Sequence, residues 1–378
     1  MKKIGLFSFH SFSQPGGVKN HILGLNQEFK KKGLETKIIV PRRRLFERYS
    51  KDVILLGSSF GFSFGGGDSD FDVVFTPLSI ESVLIKEKFD VLHFHNFIFP
   101  AALQIINSPL SQKPLKILTF HSNLERSRML KKFPFFVDFL IRVLNWKTDG
   151  LICVSNFILK FFLDYKKPKI VIPNGIDLNF FQPKKNFKKN KKIEILFVGR
   201  IEERKGLIFL LRAFKILSLK FNHLVLRVIG EGPLKKNCQE FVKKERLKNV
   251  FWEGKKEGKE LLSFYQNCDI FVAPSIFGES FGIILLEAMA CQKPVVAFNI
   301  DGYNEILKDE AAFFLAQKKD VYDLADKIEI LIKNEALREK MGLWGRKESE
   351  KYSWERVANN VLEFYSFCQK EREKKAKN

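Results

Sequence analysis

Short apolar runs alternate with segments of helical periodicity along the first half of the chain. Residues 4–9 form a run typical of a strand, and Val18, Ile22, Leu25 and Phe29 then recur at the spacing of one apolar helix face. Further strands are predicted at residues 36–40, 91–95, 117–120 and 170–173. Strands that alternate with helices indicate parallel βαβ units.

The second half shows the same alternation. A strand is predicted at residues 193–198 and a helix at 206–221. Further strands are predicted at residues 224–229, 250–252, 269–273 and 294–297, and a charged helix at 354–369. We therefore predict an α/β fold with two doubly wound parallel sheets, whose ligands bind beyond the carboxyl ends of the strands.

Two stretches interrupt this pattern. Residues 57–70 are rich in glycine and serine, which predicts a mobile loop, and residues 183–192 contain six lysines, which is typical of a linker. We predict an N-terminal domain over residues 1–172, a hinge and basic linker over 173–192, a C-terminal domain over 193–352, and a last helix with a basic tail over 353–378.

The 378 residues carry a formal net charge of +22, which favours nucleic acid, an anionic membrane face or a phosphorylated substrate as partner. The lysines are dispersed and no module that binds RNA or DNA is recognisable, so we expect no nucleic-acid partner. The five cysteines are odd in number and lack the spacing of metal ligands. They indicate buried, reduced thiols and a cytoplasmic protein.

Residues 126–147 are both basic and strongly apolar, with Arg128, Lys131 and Lys132 preceding Trp146. One interpretation is a surface that docks on an anionic membrane, at the inner face of the plasma membrane, and reaches a lipid acceptor there. The alternative is a core helix with a basic rim, and the sequence leaves both open. No run of about 20 apolar residues predicts a helix that spans a membrane.

Gly16 and Gly17 join the first predicted strand to the first helix. Glycines let backbone amides approach an anion closely, and the start of a helix favours negative charge. The sequence therefore predicts an anion site at this loop. The alternative is a tight turn that merely starts the helix.

The loop after the first strand of the second half carries two cations beside glycines, as Gly199-Arg200 and Lys205-Gly206. It lies at the predicted carboxyl edge of the second sheet, where the planar fork of arginine and the point charge of lysine suit a diphosphate. The alternative is a solvated cluster of charges, an interpretation that applies above all to Arg204.

The segment from Gly278 to Ile283 follows a predicted strand, and we expect a helix to begin near Phe281. Glu279 then lies at the helix start, and Glu287 lies about 12 Å away at about 1.5 Å per residue. That span suits a sugar–diphosphate–nucleoside ligand, whereas the paired carboxylates of a hydrolase need roughly 5–10 Å. The alternative is a capping Glu279 and an exposed Glu287, although an acid in so apolar a run needs a partner.

His121 ends a predicted strand of the first half, where it can hydrogen-bond a sugar hydroxyl or phosphate, or move a proton. Its alternative is a histidine that satisfies a backbone carbonyl. His93 and His95 share one face of another strand by alternation. A metal site there lacks an evident third ligand, so we expect no metal and expect these histidines to line the ligand cleft.

Together these residues make the chain resemble glycosyltransferase family 4 over nearly its whole length, and within it the phosphatidylinositol α-mannosyltransferases. Residues 172–177 are similar to the family's hinge strand and turn. The residues from Trp354 onward are similar to its last helix, which crosses back to the N-terminal domain. Asn96 stands where those mannosyltransferases often carry an acid, which leaves the identity of the acceptor open.

The resemblance implies the GT-B fold, in which two Rossmann-like domains, one for the acceptor and one for the donor, face each other across a cleft. It implies a retaining hexosyltransferase that moves a hexose from a donor of the GDP-mannose or UDP-glucose type to a lipid or glycan acceptor, and that requires no metal. Two alternatives stay open: a nucleotide-sugar epimerase on the same fold and a basic nucleic-acid-binding protein.

The resemblance also implies a role for each site residue. Arg200 and Lys205 hold the diphosphate and stabilise the charge that develops as it leaves. Glu279 binds sugar hydroxyls, Glu287 binds the ribose, and His121 contacts the sugar near the reacting carbon. The other donor-binding positions act through the backbone or by allowing close approach: Gly16, Gly17, Gly199, Ser280, Phe281, Gly282 and Ile283.

Overall fold

The computed structural model describes residues 1–13, 16–44, 46–64, 67–74, 77–97, 100–122, 135–184 and 192–377, without the side chains of residues 61–64, 67–72, 77 and 136. Two compact units form. Unit 1 comprises Met1–Gly175 together with Trp354–Asn378, and unit 2 comprises Ile176–Ser353.

Unit 1 is built on one sheet. Its strands are β1 (Lys3–Ser8), β2 (Glu35–Arg42), β3 (Val53–Phe64), β4 (Gly67–Val73), β5 (Val91–His95), β6 (Leu115–Phe120), β7 (Gly150–Cys153) and β8 (Lys169–Val171). Their order is β4-β3-β2-β1-β5-β6-β7-β8; β3 and β4 run antiparallel, and the other neighbours run parallel. The strand order reverses between β1 and β5, which is where such sheets bind ligands.

One core of unit 1 lies where the first helix packs on the sheet. The helices before residue 176 are α1 (Gly17–Lys31), α2 (Pro77–Glu87), α3 (Ala101–Asn107), α4 (Phe135–Lys147) and α5 (Asn156–Leu159). Ile22, Leu25 and Phe29 of α1 are fully buried with Ile4 and Ile38 of the sheet. The predicted apolar face of this helix is therefore the face that packs on the strands.

Unit 2 contains a smaller, all-parallel sheet. Its strands are β9 (Ile193–Val198), β10 (Leu224–Ile229), β11 (Val250–Gly254), β12 (Ile270–Ala273), β13 (Val295–Phe298) and β14 (Leu315–Ala316), in the order β11-β10-β9-β12-β13-β14. Its helices are α6 (Leu207–Lys220), α7 (Lys235–Lys244), α8 (Gly258–Asn267), α9 (Ile283–Ala290), α10 (Asp301–Asn304), α11 (Val321–Lys333) and α12 (Glu335–Ser349). The order reverses between β9 and β12, so the loops after these two strands are the expected ligand loops.

The last helix, α13 (Trp354–Lys377), belongs to unit 1 and buries Val361 and Tyr365 in its core. The helix is longer than predicted, because a charged residue near its C-terminal end forms hydrogen bonds that hold the last turns in place. Arg372 donates a hydrogen bond of 2.9 Å to the carbonyl of Pro114, within the same unit.

Most predicted strands and helices are confirmed within a few residues, but two predictions are wrong. The strand predicted to stop before Pro41 continues to Arg42. Its pairing with β3 shifts register between Val40 and Arg42. Because strand pairing is irregular there, the N–H group that proline lacks is not needed for the ladder. Residues 57–70, predicted as a mobile loop, belong largely to the antiparallel pair β3–β4. Phenylalanine alternates there with glycine or serine from Phe60 to Phe64, a period of two typical of strands.

Two predictions fall partly outside the described residues: positions 185–191 of the basic linker and positions 126–134 of the basic apolar segment. Among the helices that the structure describes, none has both the length and the apolar character needed to cross a membrane.

Candidate active site

The loop after β9 contains a single turn of 3-10 helix, Glu203–Lys205, which Gly206 ends. Gly206 has a φ of +65°, and a Cβ atom there would lie 1.9 Å from the carbonyl oxygen of Pro274, so only glycine fits. The amide of Ile276 donates to the carbonyl of Arg204 at 2.8 Å. The loops after β9 and β12 are therefore held together through their backbones.

Glu279 is the centre of a group that we call the Glu279 cluster, formed with Lys205, Arg204 and Ser275. Its Oε1 accepts hydrogen bonds from Lys205 Nζ at 2.6 Å, Arg204 Nη1 at 3.0 Å and Ser275 Oγ at 3.2 Å. Burial disfavours the charged carboxylate, but the cations Lys205 and Arg204 outweigh burial, so the pKa of Glu279 is lowered. The predicted site residues Lys205 and Glu279 are thus in direct contact.

Arg204 belongs to this cluster, and the interpretation of Arg204 as a solvated charge is wrong. Its side chain is only 16% exposed and bridges Glu279 and Glu202. Arg200, by contrast, is 50% exposed, and its Nε lies 3.8 Å from the Glu202 carboxylate. The 3-10 turn explains the difference, because it directs Arg204 and Lys205 to the neighbouring loop.

The helix after Glu279 begins later than predicted. α9 starts at Ile283, and Gly282 before it has a φ of +91° and offers no side-chain cap to the first amides. The estimate of about 12 Å between Glu279 and Glu287 took the helical rise for all eight residues, whereas the four residues from Glu279 to Gly282 precede the helix. The side chain of Phe281 is buried beside Tyr352, so the backbone amide is what Phe281 can offer a ligand.

Glu287 lies within α9 and has the partner that its apolar surroundings demand. The hydroxyl of Tyr265, on α8, donates to its Oε2 at 2.7 Å. Burial raises the pKa of Glu287 to about 7, against the opposing effect of that hydrogen bond. The group therefore changes its charge near neutral pH.

In unit 1, the start of α1 is open. Among the described residues, no atom beyond the chain neighbours lies within 4 Å of a Cβ atom built on Gly16 or Gly17, and the first turn has neither an acidic residue nor a side-chain cap. Amides with these surroundings can receive an anion. Pro15, before them, lies outside the described residues.

His121 follows β6, and two other buried histidines, His21 of α1 and His95 at the end of β5, lie beside it. His95 Nδ1 and His121 Nε2 are 3.2 Å apart, and the His121 amide donates to Asn96 Oδ1 at 2.8 Å. Burial lowers the pKa of His21 to about 4 and holds the pKa values of His95 and His121 well below the usual 6.5. All three rings are therefore neutral at neutral pH.

The expected face shared by His93 and His95 is confirmed, since their ring centroids are 4.2 Å apart. The prediction that both line a cleft is wrong, because both side chains are completely buried. One ring nitrogen of His93 lies 2.6 Å from Thr119 Oγ1, and the other lies 2.6 Å from the hydroxyl of Tyr365. His93 is thus a satisfied core histidine.

Sequence reasoning missed Arg204, Ser275, Tyr265 and His21. His21 had a signal, because it occupies the buried face of α1 four residues before Leu25. Tyr265 had no such signal in the sequence, because its contact with Glu287 depends on how helices α8 and α9 pack against each other. The predicted residues divide between the units: Arg200, Lys205, Glu279 and Glu287 lie in unit 2, and Gly16, Gly17 and His121 lie in unit 1.

Two family models match consecutive parts of the chain. Residues 15–180 match Glycosyltransferase Family 4, and residues 179–348 match Glycosyl transferases group 1. The chain is 27% identical over 377 residues to a phosphatidyl-myo-inositol mannosyltransferase of Mycobacterium leprae, covering 96% of each chain. It is 32% identical over 289 residues to an uncharacterised glycosyltransferase of Methanocaldococcus jannaschii, covering 75% of this chain and 77% of that one.

Among solved structures, sucrose-phosphate synthase from Thermosynechococcus elongatus is similar with a TM-score of 0.78, at 19% identity over 97% of this chain and 98% of that one. This likeness shows the fold, which is GT-B, with two Rossmann-like units. Because both units match glycosyltransferase families and a relative reaches 32% identity, the chain belongs to glycosyltransferase family 4 and is a hexosyltransferase.

Proposed function

We propose that the protein transfers a hexose from a nucleoside-diphosphate sugar to a lipid or glycan acceptor, with retention of the donor's α configuration. The observation that carries the proposal is the Glu279 cluster, which gathers two cations and a carboxylate beside an uncapped helix start at the carboxyl end of a parallel sheet. Unit 2 is the donor-binding part.

The diphosphate is held by positive charge and amides. Arg200 is half exposed and offers its guanidinium directly, while Lys205 approaches from the Glu279 cluster. The amides of Gly282 and Ile283, at the start of α9, add donors and the favourable end of the helix dipole. These groups stabilise the negative charge that grows on the diphosphate as the sugar departs. They supply the electrostatic work of a metal ion, so we expect transfer without one.

Glu279 orients the sugar. Its three side-chain hydrogen bonds all reach Oε1, and among the described residues Oε2 accepts none. Oε2 is therefore free to accept hydrogen bonds from sugar hydroxyls. Glu287 accepts hydrogen bonds from the ribose, and does so best when it is ionised. His121 contacts the sugar near the reacting carbon, and the open amides of Gly16 and Gly17 receive a phosphate.

A lipid acceptor is favoured by the similarity to phosphatidyl-myo-inositol mannosyltransferase. Helix α4 supports it, because Phe135, Phe139 and Trp146 are 65%, 49% and 75% exposed while Leu144 is buried. Lys147 Nζ lies 3.5 Å from the centre of the Trp146 ring. Exposed aromatics beside cations suit the interface of an anionic membrane at the inner face of the plasma membrane.

Flotation with vesicles tests this membrane docking. Wild-type protein is expected to float with vesicles rich in anionic lipid, and Trp146→Ser is expected to float less. Leu219→Ser is the matched control, because Leu219 is 83% exposed on α6 of unit 2. Equal flotation of both variants would mean that α4 does not dock.

A panel of GDP, UDP, GDP-mannose and UDP-glucose in thermal-shift and transfer assays tests the donor site. A ligand at 100 times its Kd stabilises the protein by about 2.7 kcal/mol. Glu279→Ala and Lys205→Ala are expected to abolish that shift and the transfer. Lys220→Ala is the control, because Lys220 makes an ion pair of 2.6 Å with Glu329, on α11. Transfer that survives both site changes would refute the residue assignments, and turnover of a donor without acceptor would indicate an epimerase.

A further inference from the structure

Three histidines of unit 1 form a second polar centre, which we call the histidine cluster: His21, His95 and His121. Each presents a ring nitrogen, and these three nitrogens all lie within 4.8 Å of one another. The rings come from three different elements, namely α1, the end of β5 and the residue after β6. All three side chains are buried.

The cluster leaves buried nitrogens without partners. Among the described residues, neither ring nitrogen of His21 nor Nε2 of His95 has a partner at good hydrogen-bond geometry, and the same holds for Asn174 Oδ1, although the Asn174 side chain is near enough to oppose the effect of burial on the pKa of His21. A buried polar atom without a partner costs about 1–3 kcal/mol. His93, in the same core, has both its ring nitrogens satisfied. The His95–His121 pair lies beside the unsatisfied nitrogens of His21, and a partner that accepts electron pairs within the trio satisfies one of them.

We propose that His21, His95 and His121 bind one transition-metal ion of the Zn²⁺ class. Neutral imidazoles are good ligands for Zn²⁺, Co²⁺ and Ni²⁺, whereas Mg²⁺ and Ca²⁺ require oxygen ligands. At Zn–N distances of about 2.0–2.1 Å, two nitrogens of a tetrahedral site lie roughly 3.4 Å apart. His95 Nδ1 and His121 Nε2 already lie 3.2 Å apart, so a change of tautomer and a small movement of the His21 ring complete the set.

The site resembles in its chemistry a three-histidine site that keeps its fourth position open for water. The His121 amide is fixed by its hydrogen bond to Asn96, which holds the residue in place whether or not an ion is bound. If His121 serves the donor sugar, as the proposed function states, then a bound ion occupies the ring that the sugar needs. The ion therefore inhibits transfer; this consequence alone rests on the proposed function.

Metal binding is measured on the full chain without an affinity tag, after removal of metals by a chelator. Co²⁺ is expected to give the intense visible absorption of a four-coordinate site, which Zn²⁺ then displaces. Elemental analysis after gel filtration is expected to find about one Zn²⁺ per chain. His21→Gln and His95→Gln are each expected to weaken binding at least about 100-fold, because removal of even an outer-shell partner costs 10–100-fold.

His223→Gln is the control, because His223 lies in unit 2, outside the cluster, and its loss is expected to leave affinity and spectrum unchanged. Circular dichroism checks that each variant folds. If His21→Gln does not fold, His95→Gln and the wild-type cobalt spectrum decide. The proposal is overturned if wild-type protein retains well below one ion per chain, if cobalt gives only the weak absorption of a six-coordinate site, or if His223→Gln weakens binding as much as the cluster variants.

Discussion

Replacing Glu287 with glutamine is expected to stabilise the protein at about pH 8 and to change it little at about pH 5. Burial raises the pKa of Glu287 from its usual 4.5 to about 7. Between these values the folded protein holds a proton that the unfolded chain has lost, so the free energy of unfolding falls as pH rises through this window. Glutamine carries no charge and escapes that cost. Its amide oxygen still accepts the hydrogen bond from Tyr265.

The magnitude follows from the two pKa values. Each pKa unit is worth about 1.4 kcal/mol, so ionised Glu287 costs about 3 kcal/mol at about pH 8 and less than about 1 kcal/mol at about pH 5. For a unit of this size, about 3 kcal/mol corresponds to a rise in Tm of roughly 6–12 °C. Scanning calorimetry of wild type and Glu287→Gln at both pH values measures the difference.

Replacing Glu279 with glutamine is expected to have the opposite effect, a loss of stability near neutral pH. The pKa of Glu279 is lowered, so its charged form stabilises the fold above the unfolded pKa, and that stability is lost as pH falls. Loss of this charge leaves Lys205 and Arg204 without their shared partner, at a cost of about 3–5 kcal/mol near neutral pH. A lower Tm of Glu279→Gln near neutral pH, measured by the same calorimetry, is the expected result.

The prediction for Glu287 is refuted if Glu287→Gln gains no more stability at about pH 8 than at about pH 5.

Two further predictions concern the surroundings of these carboxylates. Gly206→Ala is expected to lower the free energy of unfolding by more than about 2 kcal/mol, because Gly206 has a positive φ and a Cβ atom there clashes with Pro274. Gly258→Ala is the control: Gly258 has a φ of +56° but open space around it, so alanine is expected to cost about 1 kcal/mol. Equal melting temperatures of the two variants would contradict this prediction. Tyr265→Phe is expected to raise the pKa of Glu287 further, so that nucleotide affinity, measured by titration calorimetry, rises with pH at a higher midpoint than in wild type; an unchanged midpoint would contradict it.

The sequence was sufficient for most of the parallel strands and for the position of the loops that carry the candidate site, because both depend on local periodicity and on glycines at strand ends. It was insufficient where one contact links distant elements. Arg204 was misread because a single 3-10 turn, invisible in the spacing, aims it at Glu279. The same limit applies to Tyr265 and Glu287, which meet only when α8 packs beside α9.

Arg200 and Arg204, four residues apart, are expected to respond differently to the same conservative change. Arg204 reaches two carboxylates with two different nitrogens, Nε and Nη1, whereas lysine has a single nitrogen. Arg204→Lys is therefore expected to lose one charge-assisted hydrogen bond of about 1.5–3 kcal/mol and to lower the Tm of the protein without ligand. Arg200 lies 3.8 Å from its nearest carboxylate partner, Glu202, so Arg200→Lys leaves that Tm unchanged.

The thermal shift produced by the donor sugar is expected to separate the two variants in the opposite way. Arg200→Lys is expected to lose much of the thermal shift that the donor produces, because a point charge replaces a fork that can grip two phosphate oxygens. Arg204→Lys, measured relative to its own lower Tm, is expected to keep most of that shift. Identical behaviour of the two variants with and without donor would mean that the 3-10 turn does not separate a residue that shapes Glu279 from one that holds the diphosphate.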